Sequence, residues 1–400
     1  MDLDDFAYDL PAGAIAQHPA EPRDAARLLV DRGTGRPAAH RSVADVPGLV
    51  RPGDVVVVNT TRVLPARLRL RKDTGGEVEV LLLERTAAGP WEAMVRPSRR
   101  VRPGTVLAAG PDLAVRVGGP GTGDGTRLVT LLVDGDQPPP GAPAPASGGK
   151  VAGARVDPAG GDAAAPGVDV LAPGVAGVEA PRVDAGGIAV PASELAALRR
   201  HGVVPLPPYI TAPLADAERY QTVFADRPGS VAAPTAGLHL TLGILDRCRA
   251  AGARVVGVEL EVGRGTFRPM TAPKVEDHHM HAERYRVAPE AVEACRAARA
   301  AGGRVVAVGT TTVRALESVA LTGELSGRTE LFIHRPWDWR AVDVLMTNFH
   351  LPRSSLLVLV DAFVGPRWRD LYATALAEGY RFLSFGDALW LERTGEGVGP

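Results

Sequence analysis

Between Asp136 and Gly186 the chain is almost entirely alanine, glycine, proline, valine and aspartate, with no aromatic residue and no lasting hydrophobic period. A stretch of that kind cannot bury enough apolar surface to offset the entropy of ordering it, and it reads as a disordered insertion. Any fold must therefore be assembled from the segments on either side. On the N-terminal side, Asp54–Val58 is a β-branched run after the Pro52-Gly53 turn, the signature of a buried strand. From Arg62 to about Asp134 no helical period appears. Short β-rich runs follow one another instead, at Glu77–Leu83, Trp91–Val95, Leu113–Val117 and Arg127–Val133, separated by Gly/Pro turns. That spacing predicts a small antiparallel barrel or sandwich.

Beyond the insertion the pattern alternates. Helical segments are expected near Pro191–Gly202, Leu240–Gly252, Pro289–Gly302 and Trp368–Gly379, and strands at Arg254–Leu260, Arg304–Val308 and Leu356–Val360. Strand and helix in turn predict an α/β domain with a mainly parallel sheet. The expected fold class is thus α/β, a main domain (residues 1–60 and 187–400) carrying an inserted small antiparallel β-barrel (61–135), with the Ala/Gly/Pro-rich insertion at 136–186 between them.

The formal net charge of −1 argues against binding nucleic acid through bulk charge, while leaving room for a local basic face. Lysine occurs only at positions 72, 150 and 274, so phosphate contacts would fall to arginine. Two cysteines, Cys248 and Cys295, give neither a disulfide framework nor a zinc knuckle. The acidic start, Met1-Asp-Leu-Asp-Asp, is not a secretory signal, and no apolar run is long enough to span a bilayer. The chain reads as cytoplasmic.

Several strings carry chemistry. Gly229–Thr241 is an apolar, small-residue loop closed by Thr235, His239 and Thr241 that runs into a helical pattern; its small residues, Gly237 among them, allow a ligand close to the backbone. The alternative is a tight turn packed under a helix. Asp277, His278, His279, His281 and Glu283 supply groups suited to proton transfer within seven residues. If extended, the chain there puts His279, His281 and Glu283 on one face. Alternating histidines beside a carboxylate also suit a metal, although no Cys or further His-x-His supports that reading. Thr310-Thr311-Thr312 follows a Val-rich strand and opens a helix at Val313–Ser318, where the dipole favours an anion; an ordinary cap is the other reading. Arg314 and Glu317 lie three apart on that helix, the spacing of a plain ion pair. Asn348, His350 and Arg353 form a polar cluster beside a strand, with a satisfied core histidine as the alternative for His350. Arg62 and Arg67 flank Pro65 as phosphate grips or surface charges. Tyr209, after two prolines, either stacks on a base or packs at the domain junction.

Six of these strings taken in order, Asn59–Arg67, Pro205–Ile210, Gly229–Thr241, Glu276–Tyr285, Val308–Glu317 and Thr347–Ser354, resemble the S-adenosylmethionine:tRNA ribosyltransferase-isomerases of queuosine biosynthesis, from Asp5 to about Asp387. The resemblance implies that the ribose of S-adenosylmethionine moves onto the aminomethyl nitrogen of a 7-deazaguanine in the tRNA anticodon, becoming an epoxycyclopentane as adenine and methionine leave. A general base would take a proton from the ribose carbon beside the sulfonium, and an acid would help adenine depart. By resemblance His279, His281, Glu283 and His239 are catalytic candidates. Thr235, Gly237, Thr241, Thr310, Thr311, Thr312, Arg314, Asn348, His350 and Arg353 are expected to bind substrate, and Arg62, Arg67 and Tyr209 to bind RNA. The expected partners are S-adenosylmethionine, consumed as substrate, and tRNA carrying the deazaguanine precursor at the wobble position. A monomer with no membrane partner, no metal and no redox cofactor is expected. This chain departs from the family pattern at Glu261, where a His is usual, at Thr60, where Asp is usual, and at Leu240, where Phe is usual. The Gly263-Arg-Gly-Thr-Phe267 turn lacks the spacing of a dinucleotide fingerprint. Deleting residues 140–185 is expected to leave soluble yield, melting temperature and turnover close to those of the full chain, and a loss of soluble protein would refute the linker reading.

Overall fold

The computed structural model describes residues 1–33, 35–123, 125–133, 190–263 and 270–393. The insertion at 136–186 and the turn after Gly263 lie outside them. In chain order the strands and helices begin with β1 (Arg27–Asp31), β2 (Ala39–Ser42), β3 (Val55–Asn59) and β4 (Thr61–Val63). There follow β5 (Arg67–Arg71), β6 (Glu77–Arg85), β7 (Trp91–Arg96), β8 (Val106–Ala108), β9 (Leu113–Pro120) and β10 (Arg127–Val133). Next come α1 (Ala192–His201), β11 (Gly202–Val203), β12 (Arg227–Ser230), α2 (Leu242–Ala250), β13 (Arg254–Leu260), β14 (Glu283–Val287) and α3 (Pro289–Ala300). The chain continues through β15 (Val305–Val308), α4 (Thr310–Thr322), β16 (Ser326–Thr329), β17 (Val344–Asn348), α5 (Ser355–Val364), α6 (Trp368–Ala377) and β18 (Ala388–Glu392).

A nine-stranded sheet in the order β16-β14-β13-β3-β15-β17-β18-β1-β2 forms the main body. Its centre, β13-β3-β15-β17, is parallel. The flanks bring antiparallel pairs, so the sheet is mixed where a mainly parallel one was expected. β14 follows β13 with no α-helix among the described residues between them, and it pairs antiparallel beside its neighbour. Side-chain alternation sends the two faces of the central strands into separate cores. Val57, Val256, Val258 and Ala307 meet α3, α4, α5 and α6, whereas Val56, Val58, Val255, Val306 and Met346 meet α2 and the turn Val43–Gly48. Cys248 and Cys295 are buried and free, one in each of these cores.

One expected strand is a helix. The run Leu356–Val360 belongs to α5, capped by Ser354, whose hydroxyl accepts from the Leu357 amide. Most of α5 is buried, so its sequence carries no polar face to reveal a helical period, and a short apolar run reads equally as a buried strand.

Strands β5 to β10 close into a six-stranded antiparallel barrel in the order β5-β6-β7-β10-β9-β8, with β8 returning to β5. Inward residues such as Leu68, Val80, Val95, Val115 and Leu131 fill it. The segment Ala192–Val203, expected with the main domain, packs on the barrel. Ala197 and Leu198 enter the barrel core, Glu194 accepts from the Trp91 indole at 2.8 Å, and β11 pairs with β5.

At the amino end of the central strands Asp54 is sealed from solvent. It accepts from the backbone N–H of Arg51 at 2.8 Å and of Arg304 at 2.9 Å, and from the Arg304 guanidinium at 2.7 Å. Gly303 comes so close to the Gly53 carbonyl that a Cβ would lie 2.3 Å from its oxygen. Removing one partner of a buried pair strands the other, at a cost of about 3 kcal/mol. Asp54→Ala is therefore expected to lower the thermal midpoint clearly, whereas the exposed Asp73→Ala leaves it unchanged, and equal midpoints for both would overturn this role for Asp54.

Candidate active site

The carboxyl ends of the parallel strands open onto a cleft, the usual place for a site in α/β proteins. It is lined by Tyr209, Ala233 to Ala236, Val262, Gly309 to Thr311, Thr347 to Leu351, Ser354, Leu356, Leu383 and Ser384. Three sequence strings thus meet in one place: the small-residue loop, the threonine run and the Thr347–Ser354 cluster.

The small-residue loop forms a short 3-10 helix, Thr235–His239. A Cβ on Gly237 would sit 2.8 Å from the Phe224 ring and 3.0 Å from Thr222, so this glycine is set by packing and does not line the cleft. Thr241 caps α2 by accepting from the Ile244 amide at 3.2 Å. Thr235 faces the cleft, and its hydroxyl donates to Asn348 Oδ1 at 2.9 Å. That fixes the amide, whose Nδ2 then donates to His239 Nε2 at 3.0 Å. An imidazole nitrogen that accepts is unprotonated, so His239 is neutral with its proton on Nδ1. Burial drives His239 down to about 4, and the charges of Arg381, Arg23 and Arg219 add to the effect.

Asn348 ends β17, and Asn59 plays a parallel part at the end of β3. The Asn59 amide donates to the Leu260 carbonyl at 2.9 Å and to Thr311 Oγ1 at 3.2 Å, tying β3 to β13 and to the start of α4. Gly309, at φ 90, makes the turn into α4, and no side chain caps that helix. Its first-turn N–H groups lie beside Thr310 and Thr311 in the cleft wall. Thr312 points away, its hydroxyl bonded to the Val308 carbonyl at 2.7 Å. His350 bonds Thr347 Oγ1 through Nε2 at 2.9 Å, and its backbone N–H donates to Tyr372 at 3.0 Å. Burial pushes its imidazole down to about 3.

The remaining expected residues lie apart. β14 begins only at Glu283, so His279 and His281 precede the strand, exposed, and do not share a strand face with Glu283. His281 borders a crevice between the barrel and the main sheet. Glu283 is buried in an ion pair with Arg314 and also accepts from the Gly263 N–H at 3.0 Å. Arg314 further donates to the Leu331 carbonyl at 3.0 Å and so does not pair with Glu317, whose carboxylate holds the backbone N–H groups of Arg340, Ala341 and Val342. Among the described residues no three His, Cys, Asp or Glu side chains are grouped as metal ligands. Arg353 adopts φ 54 and bonds Asp4 at 2.8 Å outside the cleft. Arg62 pairs with Glu218. Arg67 lies on the outer face of the barrel. Tyr209 reaches the cleft, its hydroxyl 2.8 Å from Ser384 Oγ, and burial pushes it up to about 12.

Of the departures from the family pattern, Leu240 fills core and Thr60 donates to the Val258 carbonyl at 3.2 Å. Glu261 packs where Gly229 leaves room, since a Cβ there would lie 2.8 Å from its Oε1. Burial lifts Glu261 to about 7, opposed by Arg284. Sequence reasoning missed Asn59, Leu383 and Ser384 as site residues. Asn59 carried a signal, a lone amide ending a run of four valines; Leu383, at φ 70, carried none.

A mixed α/β sheet with a polar cleft at its strand ends and a closed barrel inserted after β4 defines an α/β protein with its candidate site at the sheet's carboxyl edge. The chain belongs to the queuosine biosynthesis protein family, whose family model matches residues 3–138 and 162–391. Among curated relatives it is 46% identical over 404 residues to the S-adenosylmethionine:tRNA ribosyltransferase-isomerase of Anaeromyxobacter dehalogenans, covering 98% of this chain and 100% of that one. It is 44% identical to the protein of that name from Thermus thermophilus, with 97% and 98% covered. A solved structure, the S-adenosylmethionine tRNA ribosyltransferase of Thermotoga maritima, is 30% identical with a TM-score of 0.48 and covers 97% of this chain and 99% of that one.

The buried cleft imidazole of His350 gives a stability prediction. The unfolded chain protonates His350 near 6.5, the folded chain only near 3. More protons bound by the unfolded state means stability that is complete above about pH 6.5 and falls as pH drops below it. His350→Gln is expected to flatten the fall in thermal midpoint between about pH 6.5 and 4 relative to the parent, and parallel curves would refute a neutral, buried His350.

Proposed function

We propose that this chain is an S-adenosylmethionine:tRNA ribosyltransferase-isomerase, transferring the ribosyl group of S-adenosylmethionine to the aminomethyl-deazaguanine at the wobble position of tRNA and releasing adenine and methionine. The observation that carries this reading is similarity at 43–46% identity over nearly the whole of both chains to relatives of that name. The cleft suits it. The uncapped first turn of α4, with Thr310 and Thr311, presents N–H groups and hydroxyls to the methionine carboxylate. The Tyr209 ring offers a surface for adenine. Asn348 faces the ribose, held in one orientation by Thr235 on its oxygen and His239 on its nitrogen. His239 does not line the cleft and acts through Asn348 as a positioning residue.

The sulfonium acidifies the neighbouring ribose carbon, and removal of that proton starts the rearrangement. His350, neutral at physiological pH, is the one imidazole among the described residues that lines the cleft. Glu283, paired with Arg314, anchors Gly263, next to the cleft residue Val262, and His281 shares a crevice with Gly263 on the barrel side. The reaction rearranges one ribosyl group and requires no external oxidant or reductant.

Incubating the protein with S-adenosylmethionine and tRNA bearing the aminomethyl-deazaguanine, followed by mass spectrometry of the nucleosides, is expected to show epoxyqueuosine matched by adenine and methionine. Asn348→Ala should lower adenine release about a hundredfold, the scale of losing one preorganised donor. His281→Ala and Glu283→Gln should each lower it as well, and unchanged release in both would remove them from the catalytic set. Adenine release without modified tRNA would point to another acceptor.

A further inference from the structure

The barrel is more basic than the chain around it. Residues 61–133 carry twelve Lys and Arg against seven Asp and Glu, in a chain of net charge −1. Four of these arginines lie on one face, with Glu77 and Glu79 among them. On β5, β6 and β7 the outward rows run Arg67–Leu81–Met94 and Arg69–Glu79–Arg96, in cross-strand register. Arg69 and Arg96 are exposed, and of the arginines on these two rows and Arg71 beyond them, only Arg71 has a carboxylate within ion-pair reach among the described residues, Glu77 at 3.5 Å. Arg67 Nε is shut away from solvent without a hydrogen-bond acceptor. The half-buried Leu81 and Met94 form the floor of a groove whose far wall is Leu206 and its flanking prolines.

This groove leads into the cleft. Val231 and Gly263 line the groove, their neighbours Ala233 and Val262 line the cleft, and the Val231 N–H donates to the Val262 carbonyl at 3.2 Å to form the sill between them. An apolar floor edged by unpaired guanidinium groups is the surface that single-stranded RNA recognises, with bases on the floor and phosphates on the arginines. We propose that the outer face of β5-β6-β7 seats the single-stranded anticodon loop, with Arg69 and Arg96 on its phosphates and Leu81 and Met94 beneath an unstacked base, so that the neighbouring nucleotide enters the cleft over the Val231–Val262 sill. This inference rests on the tRNA reading above and assigns the surface that reading leaves open.

The test is binding of a labelled anticodon stem-loop by anisotropy across a salt series, with S-adenosylmethionine binding measured by calorimetry on the same preparations. Arg69→Glu/Arg96→Glu is expected to weaken RNA binding at least tenfold and to reduce the slope of log K against log salt by about 1–2, about 0.7 per single-strand phosphate contact. Nucleoside binding and the melting temperature should not change. Arg69→Lys/Arg96→Lys, which keeps the charge, should retain most of the affinity and confirms that the loss is not one of folding. Equal affinity and slope for parent and Glu variant would overturn this docking face and leave the tRNA reading standing, with the groove assigned to another partner. No RNA binding by the parent would overturn the tRNA reading itself, and the inference with it.

Discussion

Strand β3 lies between β13 and β15 with all five of its residues buried, so neither its faces nor its ends reach water except through what caps them. A fully buried Val side chain contributes about 1.5–3 kcal/mol, and four in succession make this strand the spine on which both cores are built. Its ends are held by polar groups of opposite purpose. At the amino end Asp54 gathers the Arg51 and Arg304 amides and the Arg304 guanidinium, fixing β3 against β15. At the carboxyl end Asn59 bonds the Leu260 carbonyl and Thr311, fixing β3 against β13 and α4. The cleft inherits its geometry from the second clamp: the α4 terminus is placed by Asn59, and the facing wall by Asn348 one strand beyond β15.

The parts of this fold legible in the sequence were those with a local period. β13, β10 and the strands of the barrel follow alternation or β-branched runs closely, because each has one face or both in a core. What escaped was set by tertiary contact. α5 hides its period because Asp361, the one charge in it, is itself buried against Arg335 and Trp368. β14 and β16 carry Arg286, Arg328 and Glu283, residues uncommon in strands, and become strands because ion pairs with Glu259, Glu84 and Arg314 hold them there. No window of sequence contains those partners. Of the residues expected from the sequence, Thr235, Thr310, Thr311 and Asn348 line the cleft. Thr241, Thr312 and Gly237 come from the same strings and yet serve capping, helix bonding and packing. A string identifies a turn, and only the backbone geometry decides which of its residues face a ligand.

The histidines show the same division. His239 and His350 are buried, each bonded through Nε2 to a polar side chain, and burial lowers both. His279 and His281 are exposed ahead of β14. The first pair is preorganised and poorly basic, suited to holding neighbours in place. Of the second pair, His281 borders the crevice that Gly263 also lines between the barrel and the main sheet. His350 lines the cleft, whereas His281 borders a separate crevice on the barrel side.

Glu261 links these two sides, and its chemistry bears on the family resemblance. A histidine at that position titrates near 6.5 when unperturbed. Glu261, starting from a carboxyl near 4.5, is lifted to about 7 by burial, with the charges of Glu84 and Glu259 pushing the same way and those of Arg284 and Arg328 opposing. The exchange therefore keeps a group that gains and loses a proton near neutrality, while lowering the charge of both protonation states by one unit. The surroundings match that lower charge. Arg284 lies 3.0 Å from Glu84, Arg328 also pairs with Glu84, and Arg227 and Arg286 flank Glu259, so arginine is abundant on this side of the sheet. Arg284 and Arg328 favour the Glu261 carboxylate and would repel an imidazolium, while the carboxylates of Glu84 and Glu259 act in the opposite sense. Burial, the largest influence on Glu261, is what brings its carboxyl to about 7.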